Sequence, residues 1–206
     1  MSAAAYAGHR VEIDEDVIRL RPSVRRERSA DPWATQRNEG APMLDTGFPR
    51  ADAENDFLRA RRHQFLAALT NRLRGRPVDS GRLVPLDELV GSLGWRGQRQ
   101  LGLQTIRLDT ITGTVGARRD FDRCFRPTSG RVRSRWEPLA LAQRRGEAIP
   151  PIEVYRVGHR HFVSDGHHRV SIAAATGQQL IDAYVTQVLT TVPPQIQTAS
   201  PPRCWR

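Results

Sequence analysis

The stretch 152–177 limits the fold more than any other part of the chain. Ile152 and Val154 alternate with polar neighbours, Gly158-His159 supplies a two-residue turn, and 160–164 reads as the returning strand. Asp165-Gly166 breaks that strand. Residues 167–176 then place Val170, Ala173 and Ala174 on one helical face, and Gly177 stops the helix. A further strand is expected over 181–188. A hairpin that runs straight into a helix and on to another strand predicts a small α+β domain, a mixed sheet with packed helices.

The upstream residues fit this plan less tightly. Ile106 and Leu108 alternate with polar residues, which predicts a strand ending near Ile111. Ser134 and Glu137 have capping-box spacing ahead of a helix over 139–145, with Pro138 tolerated in the first turn and Gly146 as the stop. Residues 85–93 predict a short helix, Pro near its start and Gly94 at its end. Between 52 and 74, Leu58, Phe65, Leu66, Leu69 and Leu73 share one face of a helical period and are expected to face a core. Arg59, Arg62, His63 and Arg72 take the opposite side. Residues 75–81 and 96–102 look like loops. The domain plan is a disordered arm over 1–51, a helical segment over 52–103, the α+β domain over 104–189 and a disordered Pro-rich tail over 190–206.

Charge narrows the partner. The chain carries 32 Lys or Arg residues against 22 acids, a net charge of +10, and every one of the 32 is Arg. A guanidinium holds phosphate oxygens in bidentate fashion, so nucleic acid or a nucleotide is the expected partner class. Cys124 and Cys204 are too few for a disulfide framework and form no Cys-x-x-C pair for zinc. The first ten residues lack an apolar signal core, and no apolar run approaches the roughly 18 residues of a membrane span. The expected address is cytoplasmic, with no membrane partner.

The chemistry concentrates in Ser164-Asp165-Gly166-His167-His168-Arg169. A strand that ends in Asp-Gly and turns into a helix leaves the first helical N–H groups unpaired, a natural anion site. Three cationic or titratable residues at the positive end of a helix dipole disfavour the helix unless an anion sits there.

Within residues 104–188, Ile106-Arg107-Leu108-Asp109-Thr110-Ile111 and Ala117-Arg118-Arg119-Asp120-Phe121-Asp122 resemble the opening strand and the Pro-Arg-x-x-Phe box of the ParB/sulfiredoxin family. Ile149-Pro150-Pro151-Ile152-Glu153-Val154-Tyr155 resembles the strand after its helix, and 162–169 its phosphate-binding turn. The resemblance implies nucleotide phosphates bound at Gly166, His167, His168 and Arg169, with Arg118 and Arg119 converging from the other box. Asp165, His167 and His168 are then the catalytic candidates, and a nucleoside triphosphate with Mg2+ the implied cofactor. The family's Gly-Glu-Arg-Arg box keeps only its Gly and last Arg here, which leaves hydrolysis open. His167 also stands where sulfiredoxins carry their catalytic Cys, so thiol chemistry is not implied. A partitioning ParB continues into a helix-turn-helix and a dimerisation domain, which the Pro-rich residues after the last expected strand do not match.

Three function classes follow. The first is a phosphate- or nucleotide-binding domain, with NTP hydrolysis or phosphoryl transfer as its chemistry. The second is a DNA-binding or metal-dependent nuclease module. There, Arg131, Arg133, Arg135, Arg144 and Arg145 track the nucleic-acid backbone, and His159, His161, His167 and His168 gather with Asp165 around a metal. The third is a non-enzymatic interaction protein that uses the Arg-rich helix at 52–74. The first class assigns no metal ligand.

Overall fold

The computed structural model describes residues 45–75, 81–116 and 118–192. Helix α1 (Pro49–Leu73) precedes the short strand β1 (Val84–Pro85), helix α2 (Leu86–Leu93), the long strand β2 (Trp95–Arg107) and β3 (Ile111–Thr114). Helix α3 (Arg133–Arg144), the hairpin of β4 (Ile152–Val157) and β5 (Arg160–Asp165), helix α4 (His167–Ala175) and β6 (Leu180–Thr190) follow. The strands form one six-stranded mixed sheet in the order β1-β3-β5-β4-β6-β2. The α+β class read from 152–177 is therefore the observed one. Of the expected arm and tail, all but 45–51 and 190–192 lie outside the described residues.

The sheet curls. Leu108–Thr110 forms a single 3-10 turn that joins β2 to β3. Four Cα steps reach about 14 Å at most, whereas strands four spacings apart lie about 19 Å apart in a flat sheet. Curling brings the end of β2 to the start of β3 and makes a concave face. Neighbouring residues on a strand point to opposite faces, and β5 shows both. Val163 packs with Ile152, Val154, Val185, Phe57, Trp136 and Val170. Phe162 packs with Leu86, Val90, Val157 and Val188. Helices α1, α3 and α4 thus cover one face, and α2 covers part of the other. Among the described residues no helix is long and apolar enough to cross a membrane.

Several expectations change. Residues 96–102 are strand, not loop: β2 pairs with β6 from Trp95 to Arg107, absorbing irregularities beside Gly97 and Gly102. The 103/104 boundary therefore falls inside a strand. Phe57 and Leu83 share the main core with the sheet, so 52–103 is not a separate segment. The strand expected to run on to Ile111 is interrupted by the 3-10 turn, because the chain must cross from one strand to another there.

Helix α1 exists, but it turns the other way. Its buried residues are Asp52, Ala53, Asp56, Phe57 and Ala60, while Leu58, Phe65, Leu66, Leu69 and Leu73 are exposed. The reason is a buried ion cluster. Arg144 Nε donates to Asp56 Oδ2 at 3.1 Å, and Arg144 Nη1 lies 3.6 Å from Asp52 Oδ2. Asp52 also accepts from the Thr46 hydroxyl at 2.8 Å and the Thr46 N–H at 3.1 Å, and that hydroxyl bond chiefly lowers its pKa. Phe57 meets the edge of Trp136, ring centroids 5.5 Å apart.

Finally, α3 starts at Arg133, out of a 3-10 turn, and no side chain caps it. Glu137 accepts from Arg133 Nε at 2.6 Å instead of closing a capping box with Ser134. Pro138 consequently sits past the first turn, where its missing N–H leaves one helical bond unmade. Packing decides this. Trp136 is fully buried, and its indole N–H donates to Ser171 Oγ on α4 at 2.9 Å.

Candidate functional site

Strand β5 ends at Asp165, Gly166 caps α4, and the helix begins at once with His167. Gly166 has φ +100°, and a Cβ there would lie 2.5 Å from Ile152 Cγ2. Only glycine turns the chain here so close to β4. No side chain caps α4; its first regular backbone bond is Val170 N–H to Gly166 O at 3.0 Å. Asp165, which could have been a simple N-cap, takes the Arg169 guanidinium instead. The first N–H groups of α4 thus have no intrahelical partner and no capping side chain.

Arg169 serves the turn rather than presenting itself to a ligand. Its Nη1 donates to Pro150 O at 2.7 Å and also to Pro151 O, while Nη2 donates to Asp165 Oδ2. The guanidinium is largely covered and ties the segment before β4 to the first turn of α4. Arg169, expected to bind phosphate, thus has its head held by proline carbonyls without local donors and by a carboxylate one helical turn back.

His167 is buried. The Thr114 hydroxyl donates to Val163 O at 3.2 Å, so its oxygen accepts from His167 Nε2–H at 2.8 Å, leaving Nδ1 as the ring's acceptor. Phe121 stacks near His167 with centroids 6.3 Å apart, Phe125 lies 6.2 Å away, and Phe121 meets His168 edge-on at 5.3 Å. Burial, reinforced by Arg118, holds the His167 pKa down to about 4. His168 is also lowered, by burial and then by Arg135, and its buried Nε2 has no partner.

A tight loop delivers the two phenylalanines. Asp122 Oδ1 accepts from the Cys124 and Arg126 N–H groups at 2.9 Å each, and Phe125 N–H donates to Asp122 O at 2.8 Å. Desolvation raises the Asp122 pKa against these bonds. Phe125, fully buried, adopts φ 54°, a left-handed conformation that a bulky residue takes only under constraint. Cys124 is buried and disulfide-bonded.

The structure brings several of the expected site residues together. Arg118, Asp165 and, at His168, Arg135 all act electrostatically on the histidines, as does Asp120, which was not among the expected residues. Arg119 is exposed, and its carbonyl accepts from Thr128 Oγ1 at 2.6 Å. The expected backbone-tracking arginines divide. Arg131 and Arg135 are exposed. Arg145 is exposed, 3.8 Å from Glu147. Arg133 pairs with Glu54 and Glu137 and covers the Phe57 ring. Arg144 is withdrawn into the core by Asp52 and Asp56, so it cannot reach a nucleic-acid backbone. Among the described residues no group of three or more His, Cys, Asp or Glu can hold a metal ion. His161 bonds Thr110 at the far end of β5, while His167 bonds Thr114.

Sequence reasoning missed Thr114, Phe125 and Asp120 as site residues. Phe121 and Asp120 do stand in the Arg-Asp-Phe box, but Thr114 has only its partner across the sheet to mark it. No protein-family model, no curated protein and no solved structure matches the chain.

Proposed function

We propose that this is a ParB/sulfiredoxin-like domain that binds the phosphates of a nucleotide at the Gly166–Arg169 turn. One observation carries the reading. The uncapped start of α4 is held by a left-handed glycine and flanked by His168, Arg118 and Arg135. Backbone N–H groups, the positive end of the helix dipole and guanidinium charge favour an oxyanion there. Within this reading each residue has a task. Gly166 admits the phosphate. The His167 N–H group faces it while its ring, donating to Thr114, anchors the turn. His168 offers an unpartnered ring nitrogen. Arg169 holds the turn in shape.

Mg2+ bound with a nucleotide takes one or two carboxylates besides the phosphates. Asp165 and Asp120 are the carboxylates acting on these histidines. The metal would supply charge neutralisation at the phosphates, and His168, neutral near pH 7, is the candidate proton acceptor. NTP hydrolysis or phosphoryl transfer is the chemistry this arrangement would serve.

Equilibrium binding of CTP, ATP, GTP and a short DNA duplex, with and without Mg2+, tests the reading. A charge-assisted contact contributes about 1.5–3 kcal/mol, so Arg118→Ala should weaken nucleotide binding tenfold or more. His168→Ala should weaken it too, with the fold unchanged. Nucleotide binding indifferent to both variants would sink the proposal. Exposed Arg131, Arg135 and Arg145 support the second reading, a nucleic-acid surface. Salt-sensitive DNA binding without nucleotide binding would favour it.

A further inference from the structure

Strand register lines up four polar residues across the sheet. Arg99 on β2 pairs with Gln187 on β6, Gln187 with Arg156 on β4, and Arg156 with His161 on β5. Arg156, His161 and Gln187 each lie two residues from Val154, Val163 and Val185 on the same strand. The row therefore shares their face, one pleat beyond the apolar core. Arg99 Nη2 donates to Gln187 Oε1 at 3.2 Å.

Two members of this row lack partners where they are most buried. His161 is 7% exposed, and its Nε2 has no hydrogen bond; nor has Arg156 Nε. The tautomer follows from the neighbours. The Thr110 hydroxyl donates to Arg107 O at 2.5 Å, so its oxygen accepts from His161 Nδ1–H at 2.8 Å. Nε2 is then a bare lone pair, and the unpaired Arg156 Nε–H belongs to its register partner on β4. Burial, and after it the charge of Arg156, holds the imidazole neutral near pH 7.

We propose that the Arg99–Gln187–Arg156–His161 row is a second anion site, which takes a monoprotonated phosphoryl group. Its charged oxygens accept from Arg156 and Arg99, and its remaining O–H donates to His161 Nε2. A phosphomonoester or free hydrogen phosphate carries both kinds of oxygen. Sulfate carries the charge but lacks the proton. The site is separate from the α4 turn: His161 precedes Asp165 by four residues on β5, about 13 Å along the strand.

The test is NMR of the His161 ring in the full chain, titrated with inorganic phosphate at pH 7 and constant ionic strength, with sulfate as the control. Saturable shifts below roughly 10 mM phosphate, with sulfate at least tenfold weaker, are expected. Arg156→Gln should weaken phosphate at least tenfold. Arg99→Ala, at the exposed sheet edge, should weaken it severalfold without touching the fold, and Arg118→Ala should change nothing. An unmoved His161 ring, equal response to sulfate, or unchanged affinity in Arg99→Ala with an intact fold would each overturn the proposal.

Discussion

Gly166 meets two demands at one position, a φ of +100° and an Ile152 methyl where a Cβ would sit. A left-handed conformation costs an ordinary residue about 1–2 kcal/mol, and overpacking about 1–3 more. Gly166→Ala should therefore lower the urea-unfolding free energy by about 3 kcal/mol and remove the nucleotide binding proposed for this turn. The histidines predict a pH dependence. His161 and His167 titrate near 4 in the folded chain, chiefly because they are buried, and near 6.5 when unfolded. The unfolded chain then binds more protons between those values. Their contribution is complete above about pH 6.5 and is lost as pH falls toward 4, by up to about 1.4 kcal/mol per unit for each ring. Asp122, whose pKa burial raises, works in the opposite sense and offsets part of the loss. Urea titrations at about pH 7.5 and about pH 5 should show the decline, and His161→Gln should reduce its slope. The Asp-Gly turn was legible in sequence because it is local: one residue must reverse the chain between a strand and a helix. The capture of Arg169 by Pro150 and Pro151 was not, because its acceptors lie on the far side of a hairpin.

Helix α1 shows how an element can be recognised and still be oriented wrongly. Its leucine stripe satisfies helical spacing, yet the structure buries the side bearing Asp52, Asp56 and Phe57. Periodicity detects an apolar face but not which face the rest of the protein covers. Arg144 settles it through Asp56, 88 residues away in sequence, and Asp52 beyond it. Phe65→Ser and Leu69→Ser should accordingly change stability by no more than about 0.5 kcal/mol, the usual range for exposed positions. Phe57→Ala should cost about 3–5 kcal/mol. Arg144→Ala strands two buried carboxylates and should also cost about 3–5 kcal/mol, whereas the exposed Arg145→Ala should be nearly silent. Thermal and urea unfolding of the five variants checks the set. In α3 the same lesson is local. A capping-box spacing at Ser134 and Glu137 gives way to a start at Arg133, because burying Trp136 outweighs a cap worth about 1 kcal/mol.

At the level of the whole molecule, the described residues 45–192 lie in one compact unit, with no boundary near 104. A chain cut to 104–189 loses most of β2 and the core contributions of Phe57 and Leu83. It should show no cooperative unfolding by circular dichroism, whereas the full chain should. Residues 152–177 needed no tertiary information, since alternation, a Gly158-His159 turn and Gly166 each act within a few residues. They were enough for the α+β class and for the turn at the start of α4. Other features depend on pairs far apart in the chain. These are the curl that joins β2 to β3, the face of α1, the withdrawal of Arg144, and the meeting of Thr114 with His167 and of Arg156 with His161. Local propensity carries no record of which distant partner arrives. Strand register and the burial of charge against charge decide it, and both exist only once the chain has folded.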